Sequence, residues 1–284
     1  MYWEYFHLKT NPFGITPDPR YLFMSIPHAS AIEWMKLAIE QHEFGLIIGE
    51  VGSGKTVLSR YLVDSLSEDK YKVAWIINPT LTATQLLREI CLQLFDQDPP
   101  RTKSNLLNLL HEGLVNLFME GKYPVVIIDE AQSISGTKIF EELRLLSNYQ
   151  TDEQNLLSVV LLGQPELAKK LKRKSNRAFL QRVRFTMELN PLSSDEVGDY
   201  LMHRLRVAGF EDEGHPFTDE AIERLYEITG GFPRPLNHLA AFSMMEAMSR
   251  EESVVDRAAV NDAAKAIIYF EDQLASDKRE TVSV

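Results

Sequence analysis

One segment, Leu46 to Thr56, constrains the fold of this chain more than any other part of the sequence. It reads Leu-Ile-Ile-Gly-Glu-Val-Gly-Ser-Gly-Lys-Thr, so a short apolar run ends at a glycine and Gly-Lys-Thr then opens an amphipathic segment. The spacing G-x-x-x-x-G-K-T between a strand and a helix is the pattern of a phosphate-binding P-loop. The sequence therefore predicts a strand, a P-loop and a helix at this place.

The residue types of this loop suit a nucleotide and its metal ion. Glycines let the backbone turn tightly and bring its N–H groups close to a phosphate chain, while the following helix adds the positive end of its dipole. Lys55 can reach the β- and γ-phosphates, and the Thr56 hydroxyl can ligate Mg²⁺. A glycine-rich corner with no ligand would not need Lys-Thr, so we predict binding of ATP with Mg²⁺. The predicted nucleotide contacts are Gly49, Glu50, Val51, Gly52, Ser53, Gly54, Lys55, Thr56 and Val57.

A second apolar run, Val125 to Ile128, ends in two acids, Asp129 and Glu130. Such a run suits a buried parallel strand that delivers carboxylates to the carboxyl edge of a sheet. Asp129 is predicted to hold the Mg²⁺ shell, and Glu130 to orient and deprotonate the attacking water. Taken alone, the two acids could mark a surface turn; paired with the P-loop, they predict hydrolysis of the nucleotide.

Strands and helices alternate from the P-loop to Pro191, and helices alone follow it. This order predicts an α/β fold in which a parallel sheet carries helices on both faces, followed by a small all-helical domain. The expected organisation is an N-terminal extended segment at 1–30 that packs on the core, a nucleotide-binding domain at 31–191, a helical lid at 192–274 and a flexible tail at 275–284. The aromatic and proline-rich N-terminal segment could also cover the nucleotide base.

Two polar residues at predicted strand ends are further candidates. Asn78 precedes a proline, so it is either a turn residue or a hydrogen-bonding partner that restrains Glu130. Gln164 follows an apolar strand, where its side chain would be placed to sense the γ-phosphate.

Composition limits the cellular setting. The chain has 284 residues, a single cysteine (Cys91), and a formal net charge of −11. Disulfides and cysteine-based metal sites are therefore excluded, and we expect a cytoplasmic protein with no signal peptide and no membrane span. The negative charge argues against a surface that coats nucleic acid uniformly.

One local cluster opposes this acidic balance. Between Lys169 and Arg184 the chain carries eight basic residues and no acid. The cluster could be a solvated face, an arginine that reaches a phosphate across a subunit boundary, or a strip that contacts nucleic acid. The eight residues are Lys169, Lys170, Lys172, Arg173, Lys174, Arg177, Arg182 and Arg184.

Several groups of residues together match the pattern of a known family. With these residues the chain resembles the AAA+ ATPases and, more narrowly, the general secretion pathway protein A (ExeA/GspA) group with its short MshM-like relatives from pilus biogenesis. The resemblance extends to about residue 270. Many P-loop proteins share the Walker motifs, whereas the N-terminal pattern together with Gly-Gln-Pro-Glu-Leu is found in a much smaller group. The matching residues are Phe6, Leu8, Pro12, Phe13, Pro17, Asp18, Pro19, Tyr21, Leu22, Phe23, His28, the Walker A loop, Asp129-Glu130, Gly163-Gln164-Pro165-Glu166-Leu167 and Gly231-x-Pro233-Arg234-x-x-Asn237.

The resemblance implies roles for several residues. Gln164 would be sensor 1, Arg234 would be sensor 2 reaching the γ-phosphate from the lid, and Asn78 would match the residue that restrains the Walker B glutamate. An arginine finger should come from a neighbouring subunit, with Arg182 as first choice and Arg184 and Arg177 as rivals. The protein would therefore act as a homo-oligomer, either a ring or a helical filament.

The main functional hypothesis is an oligomeric ATPase that uses ATP binding and hydrolysis to assemble or remodel a partner, with a secretion or type IV pilus system of the cell envelope as the first choice. Longer secretion members continue into a membrane span and a peptidoglycan-binding module, whereas this sequence ends after the lid. The alternative is a TnsC/TniB-like regulator that assembles on DNA through the Lys169–Arg184 strip and recruits a transposase. A small-molecule phosphotransferase is a third class, but the sequence has no separate acceptor motif.

Overall fold

The computed structural model describes residues 1–14 and 18–267, and these form two compact units. One unit comprises residues 26–190, and the other joins residues 1–25 to the chain from Pro191 onward. The α-helices are α1 (Tyr2–Tyr5), α2 (Ile26–Glu40), α3 (Lys55–Ser65), α4 (Ala83–Phe95), α5 (Lys103–Met119), α6 (Lys138–Leu146), α7 (Pro165–Leu171), α8 (Arg177–Leu180), α9 (Ser194–Val207), α10 (Asp219–Thr229) and α11 (Pro233–Ser249). Residues 257–267 are also helical.

The α/β unit is built on a parallel sheet. Within the described residues the sheet has five strands in the order β2-β3-β4-β1-β5. Neighbouring strands in this order are not all consecutive in sequence, so helices cross over between them. The strands are β1 (Phe44–Gly49), β2 (Tyr71–Ile76), β3 (Tyr123–Ile128), β4 (Ser158–Gly163) and β5 (Val183–Leu189).

Helices cover both faces of the sheet. Successive strand residues face opposite sides, and apolar residues on each side pack against a different set of helices. Leu46 and Ile128 belong to a core cluster with residues of α4, α5 and α6. Their neighbours Ile47 and Ile127 belong to a second cluster with residues of α2 and α3. Both faces of the central strands β1, β3 and β4 are therefore buried, which explains why these strands are nearly continuous apolar runs. The predicted α/β fold, a parallel sheet with helices on both faces, is confirmed.

This topology brings three chain segments to one edge of the sheet. The P-loop follows β1, Asp129 follows β3, and Gln164 follows β4. The strands are parallel and in register, with Ile48 opposite Gly163 and Ile128 opposite Leu161. The carboxyl ends of β1, β3 and β4 therefore lie side by side, and β4 separates the other two.

The second unit is helical, and the N-terminal segment is part of it. Tyr2, Phe6, Leu8 and Phe13 are buried in the same cluster as residues of α9, α10 and α11. The expectation that residues 1–30 form an extended segment on the nucleotide-binding core is therefore corrected. Residues 2–5 are helical, residues 26–30 begin α2, and the described residues up to 25 pack with the helical unit.

Arg204 of α9 explains much of that packing. Its buried guanidinium donates to the carbonyl oxygens of Pro12 (2.7 Å) and Gly14 (3.4 Å) and to the hydroxyl of Tyr200 (3.2 Å). It also lies 4.8 Å from the ring centroid of Tyr21. One cation thus satisfies the backbone of the N-terminal segment, where proline and irregular turns leave carbonyl groups without ladder partners.

Gly231 has a φ of +75°, and a Cβ there would lie 2.1 Å from the carbonyl oxygen of Leu192, so only glycine fits where the chain enters α11. No helix in residues 1–14 or 18–267 has both the length and the apolar character that a bilayer span requires. The tail predicted at 275–284, and the end of the last helix near residue 274, lie outside the described residues.

Candidate active site

The loop after β1 has the backbone that a phosphate cradle requires. Gly52 and Gly54 adopt positive φ angles of 80° and 94°, and Gly54 is the N-terminal cap of α3. A Cβ would lie 2.7 Å from the Ser53 hydroxyl at Gly49 and 2.9 Å from the imidazole Nε2 of His28 at Gly54. Glycine is therefore required for space at Gly49 and for both space and conformation at Gly54. The free N–H groups at the start of α3 face the loop and favour an anion.

Lys55 is a buried cation in the centre of this loop. Its Nζ donates to the carbonyl oxygens of Gly49 and Glu50, each at 2.8 Å. Burial lowers the pKa of Lys55, and the negative charges of Glu130 and Asp129 act in the opposite direction. The two carboxylates after β3 are thus close enough to Lys55 to influence its charge. Of the other predicted nucleotide contacts, Val51 is exposed and Val57 is half-buried.

Asp129 is wholly buried beside the first turn of α3. Its Oδ1 accepts the N–H of Glu130 at 2.8 Å, and its Oδ2 lies 3.3 Å from the Ser59 hydroxyl. The Thr56 hydroxyl is a further neighbour that favours the charged form of Asp129. Burial raises the pKa of Asp129, while these hydrogen bonds oppose the rise. A hydroxyl and a carboxylate are hard oxygen ligands of the kind that Mg²⁺ takes, usually together with phosphate oxygens and water. The donor set of Thr56 and Asp129 therefore fits Mg²⁺.

A magnesium ion held by Thr56 and Asp129 would take its remaining ligands from the nucleotide and water. In the part of the chain that the structure describes, no group of three or more His, Cys, Asp or Glu side chains could hold a metal ion by itself. Mg²⁺ is commonly bound by one or two protein groups plus substrate phosphates.

Glu130 is held by two side-chain amides. Its backbone lies in the left-handed region, with φ at 50°, where a non-glycine residue is uncommon. Its Oε2 accepts from Nε2 of Gln132 at 2.5 Å and from Nε2 of Gln164 at 3.3 Å. Gln164 is the residue at the N-cap position of α7, directly after β4. The structure therefore brings the predicted base and the predicted sensor 1 into direct contact.

Asn78 makes a different contact from the one that the resemblance implied. It is exposed after β2, and its Oδ1 accepts from the N–H (3.3 Å) and the hydroxyl (2.8 Å) of Thr80. This is the geometry of the turn residue that the sequence left open as an alternative. In the described residues the amide partners of Glu130 are Gln132 and Gln164, and a restraint by Asn78 stays a prediction.

Arg234 lies in the helical unit, not in the α/β unit that holds the P-loop. It occupies the first turn of α11, directly after Pro233, and is exposed. A cation at a helix N-terminus opposes the helix dipole at a cost of about 0.3–1 kcal/mol, so helix stability does not explain its presence. Its role as sensor 2 stays a prediction.

The basic strip divides into one structural residue and a set of exposed ones. Lys170 is half-buried and donates to the carbonyl oxygens of Gln132 (2.6 Å) and Ile134 (2.7 Å). The other seven side chains of the strip are exposed, and within the described residues none of them forms an ion pair. The candidate fingers Arg177, Arg182 and Arg184 are among them.

Sequence reasoning missed the supporting residues of this site. His28 was noted only as part of a family pattern, yet its Nε2 lies 3.0 Å from the carbonyl oxygen of Ser53. Ser59 and Gln132 were not singled out at all. The available signal for Gln132 was its place two residues after Glu130, together with a second glutamine at the end of β4.

Comparisons with known proteins agree with this geometry. The AAA domain family matches residues 38–171. The chain is 36% identical over 275 residues to General secretion pathway protein A of Aeromonas hydrophila, a match that covers 96% of this chain and 50% of that protein. The chain therefore spans about half the length of that relative.

Two solved structures resemble the fold. The Aeropyrum pernix ORC2 protein, in ADPNP and ADP complexes, has a TM-score of 0.66 at 18% identity, covering 90% of this chain and 71% of that one. The Walker-type ATPase PABY2304 of Pyrococcus abyssi has a TM-score of 0.62 at 16% identity, covering 94% and 80%. At these identities the likeness concerns the fold alone.

Proposed function

We propose that this chain, which belongs to the AAA+ ATPases, couples ATP binding and hydrolysis to the assembly or remodelling of a partner in a secretion or type IV pilus system. ATP hydrolysis itself follows from the family. The observation that carries the proposal is the arrangement of Lys55, Asp129, Glu130 and Gln164 at one sheet edge in a chain related to a secretion protein.

The binding step rests on the loop between β1 and α3. The backbone N–H groups of the loop would surround the phosphates, and the Lys55 ammonium would turn from the carbonyl oxygens of Gly49 and Glu50 toward the β- and γ-phosphates. Thr56 and Asp129 would hold Mg²⁺, which when bound neutralises charge on the phosphate chain.

The chemical step rests on Glu130. Its carboxylate would accept a proton from water while the water oxygen forms a bond to the γ-phosphorus. The bond from the γ-phosphorus to the β–γ bridging oxygen breaks, and its electron pair leaves with ADP. Gln164 lies within hydrogen-bond distance of Glu130. As sensor 1, its side-chain amide would contact the γ-phosphate next to this carboxylate.

Assembly would complete the site. Arg177, Arg182 and Arg184 are exposed and have no acidic partner in the described residues, so they are free to reach a phosphate held by a neighbouring subunit. We propose Arg182 as the finger and a homo-oligomer as the active form. Arg234 would act from the helical unit as sensor 2.

A subunit-mixing experiment tests this arrangement. Arg182→Ala and Lys55→Ala subunits should each be inactive alone, and their mixture should recover ATPase activity because one interface then holds an intact loop and an intact finger. Arg177→Ala and Arg184→Ala serve as matched comparisons. Recovery with one of these instead of Arg182→Ala would move the finger, and no recovery with any of the three would contradict action between subunits.

The exposed strip also favours a second candidate function, in which the ATP-bound protein assembles on DNA and recruits a transposase. Seven unpaired cations on a chain with a net charge of −11 form a local surface that a polyanion can bind. Replacing Lys172, Arg173 and Lys174 by alanine should then weaken binding to all DNA sequences about equally. Unchanged DNA binding by the triple variant would leave the strip as a solvated face.

A further inference from the structure

We infer that Gln132 is a positioning residue for ATP hydrolysis, which fixes the carboxylate of Glu130 and joins it to Gln164. The inference rests on the proposed role of Glu130 as the base. It concerns the residue two positions after that base, in the short 3₁₀ turn Ala131–Ser133.

The orientation of the Gln132 amide is determined by its neighbours. Its Oε1 accepts the backbone N–H of Gln164 at 3.1 Å, and that N–H cannot accept a bond. The amide nitrogen must therefore face the other way, where Glu130 Oε2 lies 2.5 Å from it. A carboxylate in turn can only accept. Each group has one allowed role, so the network has a single arrangement.

The backbone around Gln132 is anchored to α7. Lys170 donates to the carbonyl oxygens of Gln132 and Ile134, at 2.6 and 2.7 Å. Burial lowers the pKa of Lys170, with a smaller contribution from the charge of Arg173. Because Lys170 belongs to α7, these two hydrogen bonds hold the turn after Glu130 against α7, the helix that begins directly after Gln164.

Gly163 leaves the room that the Gln132 amide occupies. A Cβ at this position would lie 2.6 Å from the Leu167 side chain and 3.2 Å from Oε1 of Gln132. The end of β4, the start of α7 and the turn after Glu130 therefore fit together around one amide group.

This network selects which oxygen of Glu130 can act. Both amides donate to Oε2, and in the described residues Oε1 makes no hydrogen bond. The pair of donors fixes the rotation of the carboxylate and leaves Oε1 to accept a proton from water. Gln132 does not touch the reacting atoms in this arrangement; it acts through Glu130.

The test is the rate of ATP hydrolysis by Gln132→Met, which keeps the side-chain length and removes both polar atoms. We expect kcat to fall about 10- to 100-fold, because a base displaced by a fraction of an ångström to 1 Å loses its alignment. The KM for ATP and the affinity for a non-hydrolysable ATP analogue should change by less than about twofold, because Gln132 is not part of the P-loop. Gln97→Met, at an exposed glutamine far along the chain from the site, is the matched control.

A double-variant comparison separates this inference from the proposed function. In a Glu130→Gln background, adding Gln132→Met should change the residual rate by less than about twofold, because the residue acts through Glu130. If Glu130→Gln alone keeps its turnover, the role of Glu130 is wrong. If Glu130→Gln loses turnover while Gln132→Met keeps or raises it, or if the two losses multiply, the inference alone is overturned.

Gln132→Asn guards against a folding defect. It keeps an amide on the same residue but is one methylene shorter, so the amide cannot reach both Glu130 and the N–H of Gln164. The same loss of kcat with an unchanged midpoint of thermal unfolding supports the inference, and a normal kcat for this variant contradicts it.

Discussion

Asp129→Asn should make the protein more stable and inactive at the same time. Asp129 is wholly buried, and burial raises its pKa, so the folded state disfavours the carboxylate that exists at neutral pH. The expected gain in the free energy of unfolding at pH 7.5 is about 1–2 kcal/mol, a typical size for removing such a cost. For a domain of this size that corresponds to a rise in the unfolding midpoint of about 2–8 °C. ATP hydrolysis should be lost, because an amide is a poor replacement for a carboxylate beside Mg²⁺.

The hydrogen bonds around Asp129 explain why the gain is not cancelled. The Ser59 hydroxyl has one hydrogen and lies near two acceptors, the Thr56 carbonyl oxygen at 3.0 Å and Asp129 Oδ2 at 3.3 Å. An asparagine would keep an oxygen for the N–H of Glu130. Its amide nitrogen could donate to the Ser59 hydroxyl, which would then donate to Thr56. The substitution thus leaves these groups paired.

The dependence on pH identifies the cause. A carboxyl group whose pKa is raised by folding lowers stability once the unfolded chain ionises. The cost is therefore absent below the unfolded pKa, grows as pH rises toward the raised folded pKa, and is constant above it. The stability gain of Asp129→Asn, measured by urea unfolding, should therefore be smaller at pH 5 than at pH 7.5. Asp64→Asn, at an exposed position of α3, should change stability by less than about 0.5 kcal/mol at both values. A variant that is less stable than the parent at pH 7.5, or a gain independent of pH, would refute the reasoning.

Three further predictions concern the loop and the helical unit. Lys55→Ala should lose affinity for a fluorescent ATP analogue, and normal binding would mean that the loop has been misread. Gly54→Ala should weaken the same affinity at least about tenfold, because left-handed strain of about 1–2 kcal/mol adds to a clash with His28; an unchanged affinity would contradict the required glycine. Arg204→Met should destabilise the protein by about 2–3 kcal/mol in urea unfolding, because it removes charged hydrogen bonds to Pro12 and other buried groups. A change below about 0.5 kcal/mol would show that Arg204 does not hold the N-terminal segment.

The sequence predicted the sheet edge well because its signals are local. A P-loop is specified by adjacent glycines, a lysine and a threonine, and a strand that ends in Asp129 and Glu130 is recognisable from the apolar run before it. The parallel direction of the strands, though not their order in the sheet, then follows from their alternation with helices. These features place Lys55, Asp129 and Gln164 together without any knowledge of side-chain packing.

Other parts could not be predicted because they depend on which surfaces meet. The N-terminal aromatic residues showed that the segment is buried, but no periodicity told which core would bury them, and the partner is the helical unit. Lys170 looked like any other member of the basic strip until the turn after Glu130 was placed against α7. Gln132 likewise gains its role only when β4 brings Gln164 beside it.

We propose that ATP drives assembly of this protein through the site at the ends of β1 and β3. Sedimentation of the Glu130→Gln variant tests it most directly, with Mg-ATP, with Mg-ADP and without nucleotide, each in the presence and absence of double-stranded DNA. We expect large assemblies that require ATP and are indifferent to DNA. Assemblies that require both ATP and DNA would move the function to the transposition-type alternative, and an unchanged sedimentation coefficient under all conditions would contradict the claim.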